Sequence, residues 1–266
     1  QNFSKKMPYP YRDHAGRLPT IWYNKALGEK GLSRLGSALE CLEMAKSGAS
    51  VHLMQRIDNL ESTLFFGIAR NNFQEGKFRE ATDWFFRVKR FPDLPNIMYF
   101  TAQSYLLDCK RKTHAKYHKN DVYAIQKILE DLDKDFKHAK KEYLYKKLEI
   151  IRFRILQKYF VALRLSKMLD DAENVLKEMF EIFEKYKDDT DHSGFVIPDL
   201  LYHGKSELFL EKRKYDDALL ANSVALDIEQ KPYYYFQRAR ILYWTDVELD
   251  EALECVQRSM SDNNLI

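Results

Sequence analysis

The sequence predicts an all-α protein in which about six antiparallel helix pairs stack into an α-solenoid. Three observations lead to this fold class. Only 9 Gly and 7 Pro occur among 266 residues, well below the usual shares of about 7% and 5%, so the chain has few turn-forming residues. Apolar residues recur at helical spacing over most of the length. Finally, one short motif returns five times, which is typical of repeat proteins.

The first 18 residues are predicted to form an extended surface arm, because Pro8, Pro10 and the adjacent Pro19 lie close together and no helical period is present. Residues 19–266 are predicted to form one helical repeat domain. The helix pairs are expected at 19–30 with 33–46, 60–74 with 77–90, 96–108 with 121–133, 137–165 with 168–186, 198–212 with 215–229 and 233–245 with 249–261.

The repeated motif marks the start of the second helix in five of these pairs. Its copies are Leu35-Gly-Ser-Ala38, Phe78-Arg-Glu-Ala81, Leu169-Asp-Asp-Ala172, Tyr215-Asp-Asp-Ala218 and Leu249-Asp-Glu-Ala252. Residues three apart share one helix face, and a small Ala lets the preceding helix approach closely. The acidic residues, present in four copies, complement the positive end of the helix dipole. The motif therefore predicts closely packed helix pairs.

This pattern resembles the tetratricopeptide repeat. The clearest copy consists of Phe65, Ile68, Ala69, Gly76, Phe78, Ala81 and Phe85, with Pro92 near the expected end. Partial copies contain Trp22, Ala26, Leu35, Ala38, Leu42 and Ala45, then Tyr202, Phe209, Tyr215, Ala218, Ala225 and Leu226, and lastly Phe236, Tyr243, Leu249 and Ala252. Asn72 and Asn222 depart from the pattern, which has aromatic residues there. The resemblance implies a right-handed superhelix with a concave groove for a partner.

Charge is unevenly distributed along the chain. The net charge is only +3, yet residues 110–167 carry 17 Lys and Arg against 7 Asp and Glu. Such a segment favours an acidic protein surface or nucleic acid as its partner. On the predicted helix 137–165, a basic stripe is expected from Lys140, Lys147, Arg154 and Lys158.

Aromatic residues are interleaved with these cations, as they are on stacking surfaces for RNA. They are Tyr143, Tyr145, Phe153 and Tyr159. Their helical spacing, among aliphatic neighbours, favours core packing over RNA stacking.

No catalytic, metal or cofactor site is predicted. The sequence contains no G-x-G-x-x-G, G-x-x-x-x-G-K-[ST], H-E-x-x-H or G-x-S-x-G motif. Acidic pairs such as Asp170 and Asp171 begin helices, where the dipole accounts for them. His114 and His118 are four apart, but they lie in a polar connector, which favours an exposed loop over a metal site. We therefore expect a protein that is not an enzyme and needs no cofactor.

The cysteines indicate a reducing compartment. Cys41, Cys109 and Cys255 are odd in number and far apart, which is typical of reduced thiols in an intracellular protein, cytoplasmic or nuclear. We find neither a secretory leader nor an apolar run of about 18 residues, so no membrane association is expected. The chain starts at Gln1 rather than Met, which leads us to expect a fragment or a processed form.

The predicted function is that of a protein-binding scaffold or adaptor that holds a partner segment in the groove, within a larger assembly. If the register of the repeats holds, the inner helices present to this groove Phe66, Arg70, Tyr99, Gln103, Arg154, Arg164, His203, Tyr234, Gln237 and Trp244. RNA binding through the basic segment 110–167 is the alternative. An enzyme whose site forms only on folding and a peptide-sensing regulator of bacterial type are two further classes.

Overall fold

A computed structural model of the chain describes residues 18–91, 96–113, 119–137, 139–188, 198–245 and 249–260. These residues form twelve α-helices and no strand, which confirms the predicted all-α class. The helices are α1 (Leu18–Gly31), α2 (Leu35–Lys46), α3 (Val51–Gln74), α4 (Phe78–Phe85), α5 (Ile97–Thr113), α6 (Lys119–Phe136), α7 (Glu142–Leu165), α8 (Leu169–Tyr186), α9 (Pro198–Glu211), α10 (Tyr215–Ile228), α11 (Pro232–Thr245) and α12 (Leu249–Met260). The predicted arm lies outside the described residues, except for Leu18, which begins α1. Pro92, His114 and His118 lie outside them as well.

Two helices start away from their predicted positions. α3 begins at Val51 rather than near 60, because the Ser50 side chain caps it by accepting a hydrogen bond from the Leu53 N–H at 3.3 Å. α7 begins at Glu142 rather than near 137. The residues before it are rich in lysine, which is unfavourable in a first helical turn, whereas the Glu142 carboxylate complements the helix dipole.

The chain divides into two compact units. The first contains residues 18–91, 96–113, 134–137 and 139–140, and the second contains 119–133, 141–188, 198–245 and 249–260. The pair predicted for 96–108 and 121–133 is therefore divided between units. The single repeat domain predicted for 19–266 stays a prediction, and each unit is described by itself below.

The alanines of the repeated motif are buried in both units. Ala38, Ala81, Ala172 and Ala218 have no exposed surface, and Ala252 is 8% exposed. In the first four copies, the Ala N–H donates to the carbonyl of the residue that precedes the helix, as Ala218 does to Lys214 at 3.0 Å. The motif therefore begins each second helix and packs it, as the sequence predicts.

The same three-residue turn joins the helices in four pairs. Its middle residue has a positive φ: 60° at Ser33, 76° at Gly76, 62° at Lys167 and 59° at Arg213. Two backbone hydrogen bonds close each turn in the Schellman pattern. Around Gly76 they run from its own N–H to the Phe73 carbonyl at 3.1 Å, and from the Lys77 N–H to the Asn72 carbonyl at 2.8 Å. Only one of these four left-handed positions is a glycine.

The first unit has two apolar clusters. One joins α1, α2 and the first half of α3 around Ala26, Leu42 and Ile57. The other joins the second half of α3 to α4 and α5, where the rings of Phe85 and Tyr105 stack 5.1 Å apart. In the second unit, α9 packs against both α10 and α11, and Leu210, Ala218 and Ile241 form a core cluster.

Cys41, Cys109 and Cys255 are free thiols and all three are buried. Burial raises the pKa of the Cys109 and Cys255 thiols above the ordinary value. No helix among the described ranges is both long enough and apolar enough to cross a membrane.

Candidate protein-binding surfaces

The four groove residues predicted in the first unit do not share one environment. Phe66 is partly buried and packs against the core, since its ring lies 5.7 Å from that of Phe85 and 6.2 Å from that of Tyr105. Arg70 is exposed, whereas Tyr99 and Gln103 are partly buried. Phe66 therefore contributes mainly to packing between α3, α4 and α5.

A surface depression of about 670 Å³ lies between α1 and α2 in the same unit. Its lining includes Trp22 and Met44 together with Lys25, Arg34 and several glutamates. Arg34 pairs with Glu29 at 3.8 Å. Charges of both signs are mixed there, so the depression selects no particular ligand charge.

In the second unit, α9 and α11 bring together three of the predicted groove residues. The His203 ring lies 5.1 Å from the Tyr234 ring. Burial lowers the pKa of the imidazole, and Gln237 is close enough to oppose part of this shift. However, Tyr234 is fully buried and Gln237 is 1% exposed. The prediction that these two line an open groove is wrong, because they lie on the packed side of α11.

The accessible side of α11 carries other residues. Phe236, Tyr243 and Trp244 are 53%, 67% and 61% exposed, and the Arg240 side chain is 44% exposed. Phe236, Arg240 and Tyr243 follow at i, i+4 and i+7, which places them on one face. Of the predicted groove residues on α11, only Trp244 is accessible. The spacing alone does not tell which face is packed.

A buried polar network fixes the start of α9 to the start of α11. Asp199 is 1% exposed, and its carboxylate accepts hydrogen bonds from Lys231 Nζ and from the Tyr234 hydroxyl, both at 2.6 Å. Burial alone would raise the pKa of Asp199, but these two hydrogen bonds lower it. Burial and the bond to Asp199 together raise the pKa of Tyr234. Asp199 is thus an ionised carboxylate with a structural role, and Lys231 balances its charge.

His203 and Gln237 carry buried polar atoms without partners. Neither the Nε2 nor the Oε1 of Gln237, nor the Nδ1 of His203, makes a hydrogen bond of normal geometry to any described residue. Burial lowers the pKa of His203, and the nearby Glu207 carboxylate opposes this shift. The imidazole is therefore held neutral in the folded unit near pH 7.

Ion pairs connect the helices α7, α9 and α11. Arg164 on α7 donates to Glu207 at 2.9 Å and to Glu211 at 2.8 Å, and Arg240 on α11 donates to Glu207 at 3.2 Å. Lys167 reaches Glu211 at 3.2 Å. We call Arg164, Glu207, Glu211 and Arg240 the ion-pair ladder. The predicted groove residue Arg164 thus has its charge balanced within the unit.

The basic stripe is formed only in part. Lys147, Arg154 and Lys158 lie on one face of α7, within about 40° of one another at 100° per residue. Lys140 does not belong to this face, because it lies two residues before the helix begins. The prediction that Lys140 belongs to the stripe is wrong, because α7 begins only at Glu142.

The aromatic residues near this stripe are divided between surface and core. Phe153 is fully buried, as predicted. Tyr143 and Tyr145 are 53% and 41% exposed, so the prediction of core packing is wrong for both. They lie in the first turn of α7, where fewer neighbouring side chains cover them. Lys141 and Lys147 place their ammonium groups 5.9 and 5.5 Å from the Tyr143 ring centre.

The α12 helix exposes a row of apolar side chains. Leu249, Leu253, Val256 and Met260 follow at i, i+4, i+7 and i+11, on one face. Leu249, Leu253 and Met260 are 56%, 59% and 70% exposed, and Val256 is partly exposed. We call these four residues the α12 apolar stripe.

Three carboxylates of the second unit with low exposure are engaged in ion pairs. Asp199, Glu207 and Glu211 all bind cations of the same unit. Among the described residues, no group of three His, Cys, Asp or Glu side chains is placed to hold a metal ion. What this unit presents to solvent is contact area on α7, α11 and α12.

Comparisons with known proteins bear on the fold. No protein-family model matches this sequence, and no curated protein gives a significant match. Among solved structures, BtubC (BKLC) from P. vanneervenii is similar, with a TM-score of 0.50, 16% identity, and coverage of 93% of this chain and 89% of that one. A tetratricopeptide repeat protein from Parabacteroides merdae ATCC 43184 is 14% identical, with a TM-score of 0.37 over 93% of this chain and 94% of that one.

Identities this low show the fold alone. The repeated helix pairs, their buried alanines and the similarity to BtubC show an all-α fold built of repeated helix pairs, the fold that the resemblance to the tetratricopeptide repeat predicts.

Proposed function

We propose that this protein is a non-enzymatic scaffold or adaptor that binds another protein and works as a subunit of a larger assembly. The observation that carries this proposal is the α12 apolar stripe. Monomeric proteins rarely expose a continuous row of large apolar side chains, and such rows mark surfaces that another polypeptide covers. An amphipathic partner helix would match the spacing of the stripe.

The rest of the second unit supports a binding role. Trp244 and Tyr243 at the end of α11 add exposed aromatic area, and aromatic residues often dominate the energy of protein interfaces. The tetratricopeptide-type fold offers broad helical surfaces rather than an enclosed pocket. RNA binding through residues 110–167 is the alternative, which the α7 cations Lys147 and Arg154 would support.

The test is a quantitative co-purification from the source cells. We expect a defined set of proteins to co-purify with the tagged chain, and we expect Leu253→Ser together with Met260→Ser to remove them. Leu220→Ser is the matched control, because Leu220 is 68% exposed on α10 of the same unit. Exposed substitutions of this kind change the free energy of unfolding by only about 0.5 kcal/mol.

Three other outcomes would contradict the proposal. The stripe variant and the control could retain the same proteins, ribonuclease could release everything that was bound, or no protein could co-purify at all. Sedimentation of the purified chain with and without the stripe substitutions shows whether a second copy is the occupant. If the chain self-associates and the stripe substitutions abolish this association, the occupant of the stripe is a second copy of the chain rather than another protein.

A further inference from the structure

The accessible side of α7 differs from the ion-pair ladder, because two of its cations, Lys147 and Arg154, make no ion pair with any residue that the structure describes. Besides Tyr143, a sector of about 80° on the helical projection contains Lys147, Ile150, Arg154, Lys158, Val161 and Leu165. All of them are exposed or partly exposed. We call these seven residues, including Tyr143, the α7 cationic face.

No acidic residue of α7 itself lies on this face. The two acidic residues of α7, Glu142 and Glu149, lie about 100° and 120° away from Tyr143 on the projection. Glu149 is buried and accepts hydrogen bonds from Lys185 at 2.8 and 2.7 Å and from the Tyr186 hydroxyl. It is therefore engaged with α8 and does not neutralise the face.

Two other arginines of α7 form ion pairs within the same unit. Arg152 pairs with Asp133 and with Glu178, and Arg164 pairs with Glu207 and Glu211. By contrast, Lys147 and Arg154 make no ion pair with any residue that the structure describes. Lys147 is exposed and Arg154 is partly exposed, so both remain accessible to carboxylates from outside.

Apolar side chains alternate with these two cations along the face. Tyr143 and Leu165 are 53% and 51% exposed, and Ile150 and Val161 are partly exposed. From Tyr143 to Leu165 the face extends about 33 Å at 1.5 Å per residue. A helical segment of about six turns matches this length.

We propose that the α7 cationic face is the docking surface for an acidic amphipathic segment of a protein partner, an inference that rests on the proposed function. Carboxylates of the segment pair with Lys147 and Arg154, while its apolar side chains cover Ile150, Val161 and Leu165. Charge complementarity of this kind fixes the register of the segment and speeds its association.

The composition of the face favours a peptide over RNA. Ile150, Val161 and Leu165 gain free energy by burial against apolar groups, which a phosphate backbone does not offer. Stacking of bases needs an open aromatic ring, and the Tyr143 ring already has two ammonium groups within 6 Å. Only an apolar and acidic ligand uses both kinds of residue on this face.

The experiment measures binding of a fluorescein-labelled peptide of about 22 residues, the helical length of the face. Leucines occupy one face of this peptide and glutamates the next. Lys147→Glu and Arg154→Glu should each weaken binding about fivefold to tenfold, because attraction becomes repulsion, and each should reduce the salt dependence. Lys177→Glu is the control of equal charge change, on an exposed position of α8. Leu165→Ser should weaken binding without changing its salt dependence.

Two further probes separate the alternatives. A peptide with glutamine in place of glutamate should bind at least tenfold more weakly, and single-stranded oligouridine should not compete with the acidic peptide. Equal affinity of the parent, Lys147→Glu, Arg154→Glu and Lys177→Glu proteins would overturn the proposal, and so would absence of peptide binding. Oligouridine that binds and depends on Lys147 would assign the face to RNA. Because no cellular partner and no α12 residue is involved, failure here is distinguishable from failure of the proposed function.

Discussion

Protonation of His203 makes the free energy of unfolding of the second unit depend on pH. His203 faces Tyr233 and Tyr234, whose ring centres lie 5.2 and 5.1 Å away, and it lies near Gln237, Glu207, Arg164 and Arg240. Burial lowers its pKa, with Arg164 and Arg240 acting in the same direction. The folded unit therefore binds a proton at His203 less readily than the unfolded chain does.

We predict that the second unit loses stability as the pH falls below about 6.5, the ordinary value of histidine. The unfolded chain takes up the proton first, so the free energy of unfolding decreases until the pH reaches the lowered folded pKa. His203→Gln should show a smaller loss between pH 7.5 and 5.5 in urea unfolding. An NMR titration of His203 should give a pKa below 6.5. Equal acid sensitivity of the two proteins would contradict this role.

At the scale of elements, the ion-pair ladder holds α7, α9 and α11 in register. The side chains of Arg164, Glu207 and Glu211 are 15%, 15% and 18% exposed, so solvent screens them less than it screens a surface pair. Each charged hydrogen bond in such a setting contributes more than an exposed one. The ladder should therefore matter to the stability of the unit.

We predict that Arg164→Met lowers the free energy of unfolding by about 1–2 kcal/mol, because two partly buried carboxylates lose a donor. Lys187→Met is the matched control. This substitution breaks the ion pair with Glu184. The Lys187 and Glu184 side chains are 46% and 55% exposed, so the free energy of unfolding should decrease by less than about 0.5 kcal/mol. Urea unfolding followed by circular dichroism measures both. A larger effect at Lys187 than at Arg164 would show that the ladder does not stabilise the unit.

Element positions were predictable because they depend on local spacing. The buried alanines and the polar breaks placed every helix, but the starts of α3 and α7 and the ends of α4 and α5 were wrong by about five residues or more. The accessible face of α11 was not predictable, because Tyr234 and Phe236 have similar side chains and only packing against the neighbouring helices decides which is buried. Asn222 is instructive: it replaces an expected aromatic residue and lies buried, where its amide donates to the Tyr234 carbonyl at 3.0 Å.

The binding surfaces, like the helices, were predictable only where they depend on local spacing. Lys147, Arg154 and Lys158 could be placed on one face from their spacing, since α7 is helical throughout their range. Which cations remain without carboxylate partners depends on residues distant in the chain, such as the Glu207 that engages Arg164. Sequence spacing carries no information on those pairings.

At the scale of the whole molecule, the division into two compact units predicts that a destabilising substitution in one unit leaves the stability of the other unchanged. Repeat proteins are stabilised by contacts between neighbouring repeats, so a substitution acts mainly on its own surroundings. Gly76 in the first unit allows a sharp test. An added methyl group there would meet no atom within 4 Å, but the φ of 76° is unfavourable for any other residue.

We predict that Gly76→Ala destabilises the first unit by about 1 kcal/mol and leaves the second unchanged. Hydrogen exchange of amides in α3 and α4 should then accelerate about fivefold, whereas exchange in α9 and α10 should stay the same. Gly28→Ala is the control, because Gly28 is helical and also has no atom within 4 Å. It should slow exchange in α1 and α2, since Ala favours helix over Gly. Acceleration in both units would show that they unfold together.

The buried cysteines make this protein suited to site-directed labelling. Thiolates are the reactive form of cysteine, and Cys41, Cys109 and Cys255 are all shielded from solvent, with a raised pKa at Cys109 and Cys255. A cysteine introduced at an exposed position such as Val51 or Leu220 would therefore react first with a maleimide dye. One label in each unit, read by single-molecule energy transfer, would report the distance between the units and its change when a partner binds.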